Sequence, residues 1–475
     1  MENRFNSISS KEWLPFQKSW FIFKDLNDIY ESNIRFFTKK DSLNQNIGYY
    51  GENLKIMSEF ATSNNKKVLK IDRTENDEKK YEFILIDLIN EIDSVCSLND
   101  YETIKAKIIN KAIKLYSQID EKRFLCILIK NLQINDSYYP YAWDLAKHIS
   151  TIYSLKDEKI ACLNDDYTNN NNNIFSNDNN TFYCLYFKKD ANSNGLYTYK
   201  NYNFFNNNKQ LKSSFEFNSS MKSWNIIKPK PRKKNEILHP AKYPEELTSL
   251  FIKTFSKEND NIFDPMSGSG STQISALQNK RNGFGYELSE YFYNIANQRC
   301  EEYINPTQME LFPSITENKY KILNKDSRDM LRSDFPKLNY TITSPPYWDM
   351  LNMKGAEYQA KRIKEGLKTN YSDDTKDLGN IENYEEFLYE LTQIYKKISE
   401  NLISKGYITI IVKNIKKKGI NYPLAWDLSK NLQEFLILLP EVFWCQDDIN
   451  IAPYGYGNTW VSNTFHHYCL NFQVP

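Results

Sequence analysis

The chain has 475 residues, enough for two or three units of about 150 residues each. Lys and Arg number 61 against 60 Asp and Glu, a net charge of +1 that excludes a uniformly basic coat for nucleic acid and leaves local basic patches open. Hydrophobic residues at 40% and charged residues at 25% allow sizeable cores and exclude a chain disordered throughout. Seven cysteines without CxxC or Cys/His spacing exclude a disulfide framework and a zinc site. The most apolar run, 435–444, is interrupted by Pro440 and is far short of the roughly 20 residues that cross a bilayer. The first residues show no apolar stretch of signal type, so a soluble cytoplasmic protein is expected.

Along the chain, short apolar runs at 67–73 and 83–87 read as strands. A tract of asparagines at 167–180 and a second soft stretch from 190 to about 220 cannot bury apolar area and read as loop and linker. An extended basic arm follows, Lys228-Pro229-Lys230-Pro231-Arg232-Lys233-Lys234, its prolines disfavouring helix. Beyond it, strand-type runs at 261–264, 283–287, 320–323, 340–343 and 407–412 alternate with helical patterns at 271–279 and 291–304. Such alternation predicts an α/β fold, a mostly parallel sheet with helices on both faces.

The chain also repeats itself. Lys130-Asn131, Tyr139-Pro140 and Ala142-Trp143-Asp144-Leu145 recur as Lys413-Asn414, Tyr422-Pro423 and Ala425-Trp426-Asp427-Leu428, each 283 residues later. Asp100-Tyr101-Glu102 matches Asn383-Tyr384-Glu385, and Asn180-Thr181-Phe182 matches Asn463-Thr464-Phe465, at the same offset of 283. Further back, 67–73 resembles 321–328, and 83–87 aligns with 340–344 at an offset of 257. The 26-residue difference between the offsets is an insertion that directly follows Ser344 in the second copy.

Three motifs in that second copy carry chemistry. Asp264-Pro265-Met266-Ser267-Gly268-Ser269-Gly270-Ser271-Thr272 joins a strand to a helix; its glycines allow a tight turn and its helix start offers free N–H groups. Glu287 ends the next strand, where an acid can accept from ribose hydroxyls. No Gly-Lys-Ser/Thr follows, which disfavours a phosphate loop. Thr343-Ser344-Pro345-Pro346-Tyr347-Trp348 follows a further strand. Two prolines there fix the backbone and free carbonyls from the ladder, and a polar side chain with an adjacent aromatic suits a planar heterocycle bearing an amino group.

Together these residues resemble the amino-methylating DNA methyltransferases that use S-adenosylmethionine. The resemblance covers about 223–472 and includes His239 in HPAKYPEEL, the glycine motif, and the weaker framework segments DLGNIENYEEF and HHYCLNF, with His467 in the latter. It implies a Rossmann-like methyltransferase fold of seven strands and S-adenosylmethionine as cofactor. It implies Ser344, Pro345, Pro346 and Tyr347 as catalytic residues. His239, Asp264, Met266, Gly268, Gly270, Ser271, Glu287 and Asp326 are implied around the cofactor, and no metal. Ser-Pro-Pro-Tyr in this family points to the exocyclic N4 of cytosine, whereas Asp or Asn in first place would point to adenine N6. The order of motifs, cofactor part first, departs from the more frequent one and leaves adenine open. Carbon-5 methylation needs a nucleophilic Cys after Pro, and no cysteine here follows one.

The implied organisation is a degenerate copy at 1–190, with Asp87-Leu88-Ile89-Asn90 in place of the tetrapeptide, a linker at 191–222, and a catalytic domain at 223–475. The degenerate copy is expected to bind DNA or to act as an internal partner. Double-stranded DNA is the expected partner, with a cognate restriction endonuclease as a further candidate, and the chain is expected as a monomer with an internal pseudo-dimer or as a homodimer. For DNA contact the candidates are Lys230, Arg232, Lys233, Trp348 and Lys354, then Lys361, Arg362 and Lys364 in the insertion, and Lys416, Lys417 and Lys418. A non-catalytic DNA-binding pseudoenzyme is the alternative outside enzymes.

Overall fold

A computed structural model of the chain describes residues 3–71, 79–134, 137–164, 181–190, 195–197, 222–228, 243–305, 317–348, 376–447, 451, 453, 456, 457 and 462–475. The Asn-rich tract, most of the linker, Lys230, Arg232, Lys233, His239, and the insertion with Lys354, Lys361, Arg362 and Lys364 lie outside these residues.

Runs rich in Ile, Val, Tyr and Phe form two sheets. The first uses β1 (Trp20–Phe23), β2 (Asn46–Tyr50), β3 (Lys67–Lys70), β4 (Tyr81–Asp87) and β5 (Ile119–Ile129). A separate hairpin, β6 (Leu132–Ile134) and β7 (Ser137–Tyr139), precedes β8 (Ser154–Leu163) and β9 (Thr181–Lys188). The sheet order is β1-β8-β9-β5-β4-β2-β3. The second sheet uses β10 (Trp224–Asn225), β11 (Asn261–Asp264), β12 (Asn282–Glu287), β13 (Tyr320–Asn324), β14 (Leu338–Thr343) and β15 (Leu402–Val412). A second hairpin, β16 (Ile415–Lys417) and β17 (Ile420–Tyr422), precedes β18 (Ile437–Cys445) and β19 (His466–Gln473). Its order is β10-β18-β19-β15-β14-β11-β12-β13. Only β9 and β19 run antiparallel to both sheet neighbours. The central strands are buried on both faces: Phe83 and Leu85 enter one core, Ile84 and Ile86 the other.

The ladders of the two sheets correspond. Phe83 pairs with Phe124 as Tyr340 pairs with Tyr407. Ile47 pairs with Val68 and Phe83 as Ile262 pairs with Gly283 and Tyr340. Two of the sequence matches shift on this register. Tyr183, opposite Ile129, takes the place of Tyr468, opposite Val412, so Thr181-Phe182 stands two residues out of step with Thr464-Phe465. Strand β3, matched by sequence to 321–328, instead occupies the place of β12, and β13 has no counterpart in the first sheet. In a chain rich in Lys, Ile and Asp, short matches of residue type arise without shared position. The ladder is the firmer guide, because a one-residue slip would turn each buried side chain outward.

The sheets meet across a reciprocal junction. Asn131 donates to Glu441 at 2.9 Å, and Asn414 donates to Glu158 at 2.8 Å. Tyr183 donates to Glu441 at 2.5 Å, and Tyr468 to Glu158 at 2.8 Å. Each asparagine also accepts from the first turn of the helix that follows its hairpin, at Ala142 N and Ala425 N. Trp143 and Trp426, on those two helices, lie 6.2 Å apart and nearly parallel, and Lys147 pairs with the buried Asp427. One core cluster runs through both sheets, with Trp143 and Trp426 in it. Residues equivalent by the 283 offset therefore contact each other's partners, as in a two-fold interface.

Burial pushes the Glu441 carboxyl up, while its donors Tyr138, Tyr183 and Asn131 act the other way. Glu441→Ala leaves three buried donors without their acceptor and is expected to lower stability by about 3 kcal/mol. The change reads as a fall of several degrees in Tm, with Glu441→Gln in between. An unchanged Tm would mean that the junction contributes nothing to the fold.

Candidate active site

The carboxyl ends of parallel strands β11, β12, β13 and β14 lie side by side, where ligands bind in open α/β sheets. Strand β11 delivers Asp264 and must then turn into the helix Ser271–Gln278. Gly268 and Gly270 make that turn with φ of 52° and 78°, a region costly for other residues. The turn also packs onto β12 so closely that a Cβ on Gly285 would lie 2.1 Å from the Ser267 hydroxyl.

Asp264 is fully buried and collects four donors. Oδ1 accepts from Met266 N at 3.0 Å and Thr343 Oγ1 at 2.7 Å; Oδ2 accepts from Thr272 Oγ1 at 2.6 Å and Tyr243 OH at 3.0 Å. Thr343 precedes the tetrapeptide and Tyr243 belongs to the HPAKYPEEL segment, so this carboxylate joins three motifs. It does not line the cavity beside it. Asp264, expected at the cofactor, is thus engaged by protein donors at both oxygens. Gly270 and Ser271 are likewise absent from the lining: Gly270 backs onto Ala296, and Ser271 lies buried in the helix start.

The cavity is lined by Met266, Gly268, Glu287, Asp326, Ser344 and Pro346, which brings the expected cofactor and catalytic residues to one place. Glu287 accepts from Gly268 N at 2.7 Å and Ser289 N at 2.9 Å, which leaves acceptor capacity on both oxygens. Burial raises its carboxyl to about 7, against the lowering by those two N–H groups; Asp264 and Asp377 add to the rise. Asp326 is held by Arg328 at 2.7 Å.

Strand β14 ends at Thr343, before Ser344, because Pro345 and Pro346 have no N–H for the ladder. Ser344 Oγ donates to the Ile411 carbonyl at 3.1 Å and lies 3.1 Å from the Tyr347 hydroxyl. With its single proton committed to Ile411, Ser344 accepts from Tyr347 and keeps one lone pair. Burial raises the Tyr347 phenol well above its ordinary value, so it stays a donor. Tyr347 is buried, 6.1 Å from the His467 ring, and is not part of the cavity wall.

Among the described DNA candidates, Lys416 is engaged by Asp157 of the first sheet and by the Ser462 carbonyl, so it is not directed at a phosphate. Lys417 lies 4.2 Å over the Trp348 ring, and Lys418 is exposed. Sequence reasoning missed Phe292, Asp377 and Leu378 in the cavity wall. Asp377-Leu378 had been read only as framework. The available signals were an acid between the insertion and the next helical pattern, and an aromatic in the first turn of the helix after Glu287.

In the first sheet, Asp87 stands at the ladder position of Ser344, and Tyr49 at that of Asp264. Tyr30 and Tyr49 both donate to Asp87, and Asn53 bonds to both tyrosine hydroxyls at 3.1 Å. This polar cluster stands where the second sheet has Asp264 and Ser344, and Asp87 also lines a hollow with Tyr50, Gly51, Lys70 and Asn90.

The sequence profile of the DNA methylase family (N6_N4_Mtase) matches residues 16–298, more than half of the chain. The chain belongs to the DNA methylase family. The match takes in the first sheet and the glycine turn and stops before Ser344. The second sheet has the Rossmann-like methyltransferase form expected for this family, with the two-residue β10 added at its edge. A 66-residue stretch is 44% identical to the orphan methyltransferase M.BamHII of Bacillus amyloliquefaciens, covering 14% of this chain and 25% of that protein. The type II methyltransferase M2.LlaDCHI of Lactococcus lactis subsp. cremoris is 31% identical over 115 residues, 24% of this chain and 39% of that protein. The chain thus spans a quarter to two-fifths of the length of these relatives. Among solved structures, TrmN from Thermus thermophilus aligns at 12% identity over 49% of each chain, with a TM-score of 0.29.

Members of this family use S-adenosylmethionine, and the cavity residues fit it. Glu287 has lone pairs left for two ribose hydroxyls, Phe292, Leu288 and Leu378 offer apolar surface for a planar ring, and Gly268 leaves the turn backbone open. Because the folded carboxyl is raised from 4.5 to about 7, its contribution to the free protein's stability is present below pH 4.5 and is lost as pH rises through about 7. Ribose needs the ionised acceptor, so calorimetry should find S-adenosylhomocysteine binding roughly tenfold tighter at pH 8 than at pH 6. Glu287→Gln should bind weakly and without that slope. A wild-type affinity independent of pH in this window would contradict the assignment.

Proposed function

We propose that the chain is a site-specific DNA methyltransferase that places a methyl group on the exocyclic N4 of cytosine in double-stranded DNA. The observation that carries this is the convergence of Ser344 and Pro346 with Glu287 and Gly268 on one cavity. Bound there, S-adenosylmethionine supplies an electrophilic methyl on sulfur. The remaining lone pair of Ser344 accepts a hydrogen from the target amine, and the Pro345 carbonyl takes the other. Both draw the nitrogen lone pair out of conjugation as it attacks. The Tyr347 hydroxyl holds Ser344 in the accepting orientation. These groups are fixed by β14, β15 and Asp264 before substrate arrives, and that positioning accounts for most of the rate. The base must leave the stack to reach them, at a cost of a few kcal/mol. The seryl tetrapeptide supports cytosine over adenine, and the type II methyltransferases among the relatives support a restriction–modification setting with a partner endonuclease.

The N-terminal part, 1–190, serves on this reading as a non-catalytic partner built on the same strand order. Its Asp87 is followed by no prolines and accepts from Tyr30 and Tyr49. The wild-type chain, expressed in a host without DNA methylation, should leave N4-methylcytosine at one short sequence when genomic DNA is sequenced for modified bases. Pro346→Ala and Ser344→Ala should lower the rate by about 10² or more, while Asp87→Asn stays within about twofold. Adenine marks would move the target to N6, and no marks would leave a pseudoenzyme.

A further inference from the structure

Beside the tetrapeptide, and sharing no lining residue with the first cavity, lies a second hollow of about 350 Å³. Trp348, Tyr384, Tyr422 and Tyr197 wall it, with Lys417 and Lys418 at the rim together with Glu382 and Asn383. Neither Ser344 nor Tyr347 lines it. The rings are arranged as a box: Trp348 lies 4.7 Å from Tyr422 and 5.2 Å from Tyr384, and Tyr197 stacks on Tyr422 at 5.0 Å.

Three features set this hollow apart from ordinary aromatic packing. Trp348 holds a φ of 46°, a strained conformation for a bulky residue and one that clusters at ligand sites. Its indole N–H is buried with no partner among the described residues, a donor in want of an acceptor. The Lys417 ammonium covers the indole face at 4.2 Å, where an incoming ring would displace it. The equivalent position in the first copy is filled. There Tyr101, in the place of Tyr384, stacks on Tyr141 at 3.7 Å, and Tyr139, in the place of Tyr422, stacks on it at 5.5 Å. The second copy has Leu424 where Tyr141 stands, and its box stays open.

We propose that this aromatic box takes one unstacked nucleotide of the DNA other than the target base, its ring against Trp348 and Tyr422 and its phosphate on Lys417 and Lys418. The inference rests on DNA as the substrate. Glu382 can accept from an exocyclic amine of the seated base. Lys417, once displaced from the indole, is close enough to the rim to pair with the phosphate that follows.

The test compares a fluorescein-labelled (dT)12 strand with the same backbone made of abasic sugars, titrated against the full chain by anisotropy. The wild type should bind the base-bearing strand on the order of tenfold more tightly, the scale of one or two stacked bases. Tyr422→Ala should lose that preference with little change for the abasic strand, and Tyr422→Phe should keep it. A folded Tyr422→Ala that retains the wild-type preference overturns the proposal. Should that variant not fold, ultraviolet cross-linking of the wild type to a strand carrying 5-iododeoxyuridine decides instead. Adducts on Trp348, Tyr384, Tyr422 or Tyr197 support the site, and adducts only elsewhere overturn it. A stacking preference in a protein that leaves genomic DNA unmodified would sustain the box and overturn the methylation reading, so the two fail separately.

Discussion

The buried carboxylate of Asp264 holds the site in register. It is removed from water, and such a group is tolerable only when its oxygens are filled by donors. The four it has come from the glycine turn, the helix that follows, the HPAKYPEEL segment and the residue before the catalytic tetrapeptide. Two motifs nearly eighty residues apart in sequence are thereby fixed within one hydrogen bond of each other, Asp264 to Thr343. The cofactor cavity and the Ser344 acceptor inherit their relative placement from that bond, and small displacements there weaken a reaction that depends on orientation.

The same logic of a filled buried carboxylate recurs at the junction of the sheets. Glu158 supports Asn414 and Tyr468, which sit on the segments after β15 and in β19, while Glu441 supports Asn131 and Tyr183. Ser344 leans on the Ile411 carbonyl of β15, three residues before Asn414. The first sheet therefore braces the strand against which Ser344 is oriented. In the first sheet the carboxyl at the equivalent position, Asp87, takes Tyr30 and Tyr49 as donors and lines a hollow of its own with Tyr50, Gly51 and Asn90.

Much of this was legible in the sequence. The 283 offset located β5 against β15 and β8 against β18, and the three motifs fell at strand ends because glycine, proline and acidic residues mark such ends by their backbone chemistry. Burial and register were harder to read. Asp264 looks like a ligand in a one-dimensional motif, and only its four donors reveal it as a support. Lys416 reads as one of three basic residues in a row, yet within its short strand it pairs with Asp157, while Lys418 falls in the turn that follows and stays exposed. The match of 67–73 to 321–328 followed residue type, whereas strand pairing assigned β3 to the place of β12. Asp377 and Phe292 reach the cavity from far along the chain, a closeness that spacing alone does not encode.

On the proposed reading, two sheets of corresponding strand order carry a single cofactor site. Isothermal titration of the intact chain with S-adenosylhomocysteine measures this directly. One molecule bound per chain, abolished by Glu287→Ala and unaffected by Asp87→Asn, is the predicted result. Two molecules per chain, or one that survives the loss of Glu287, would contradict it.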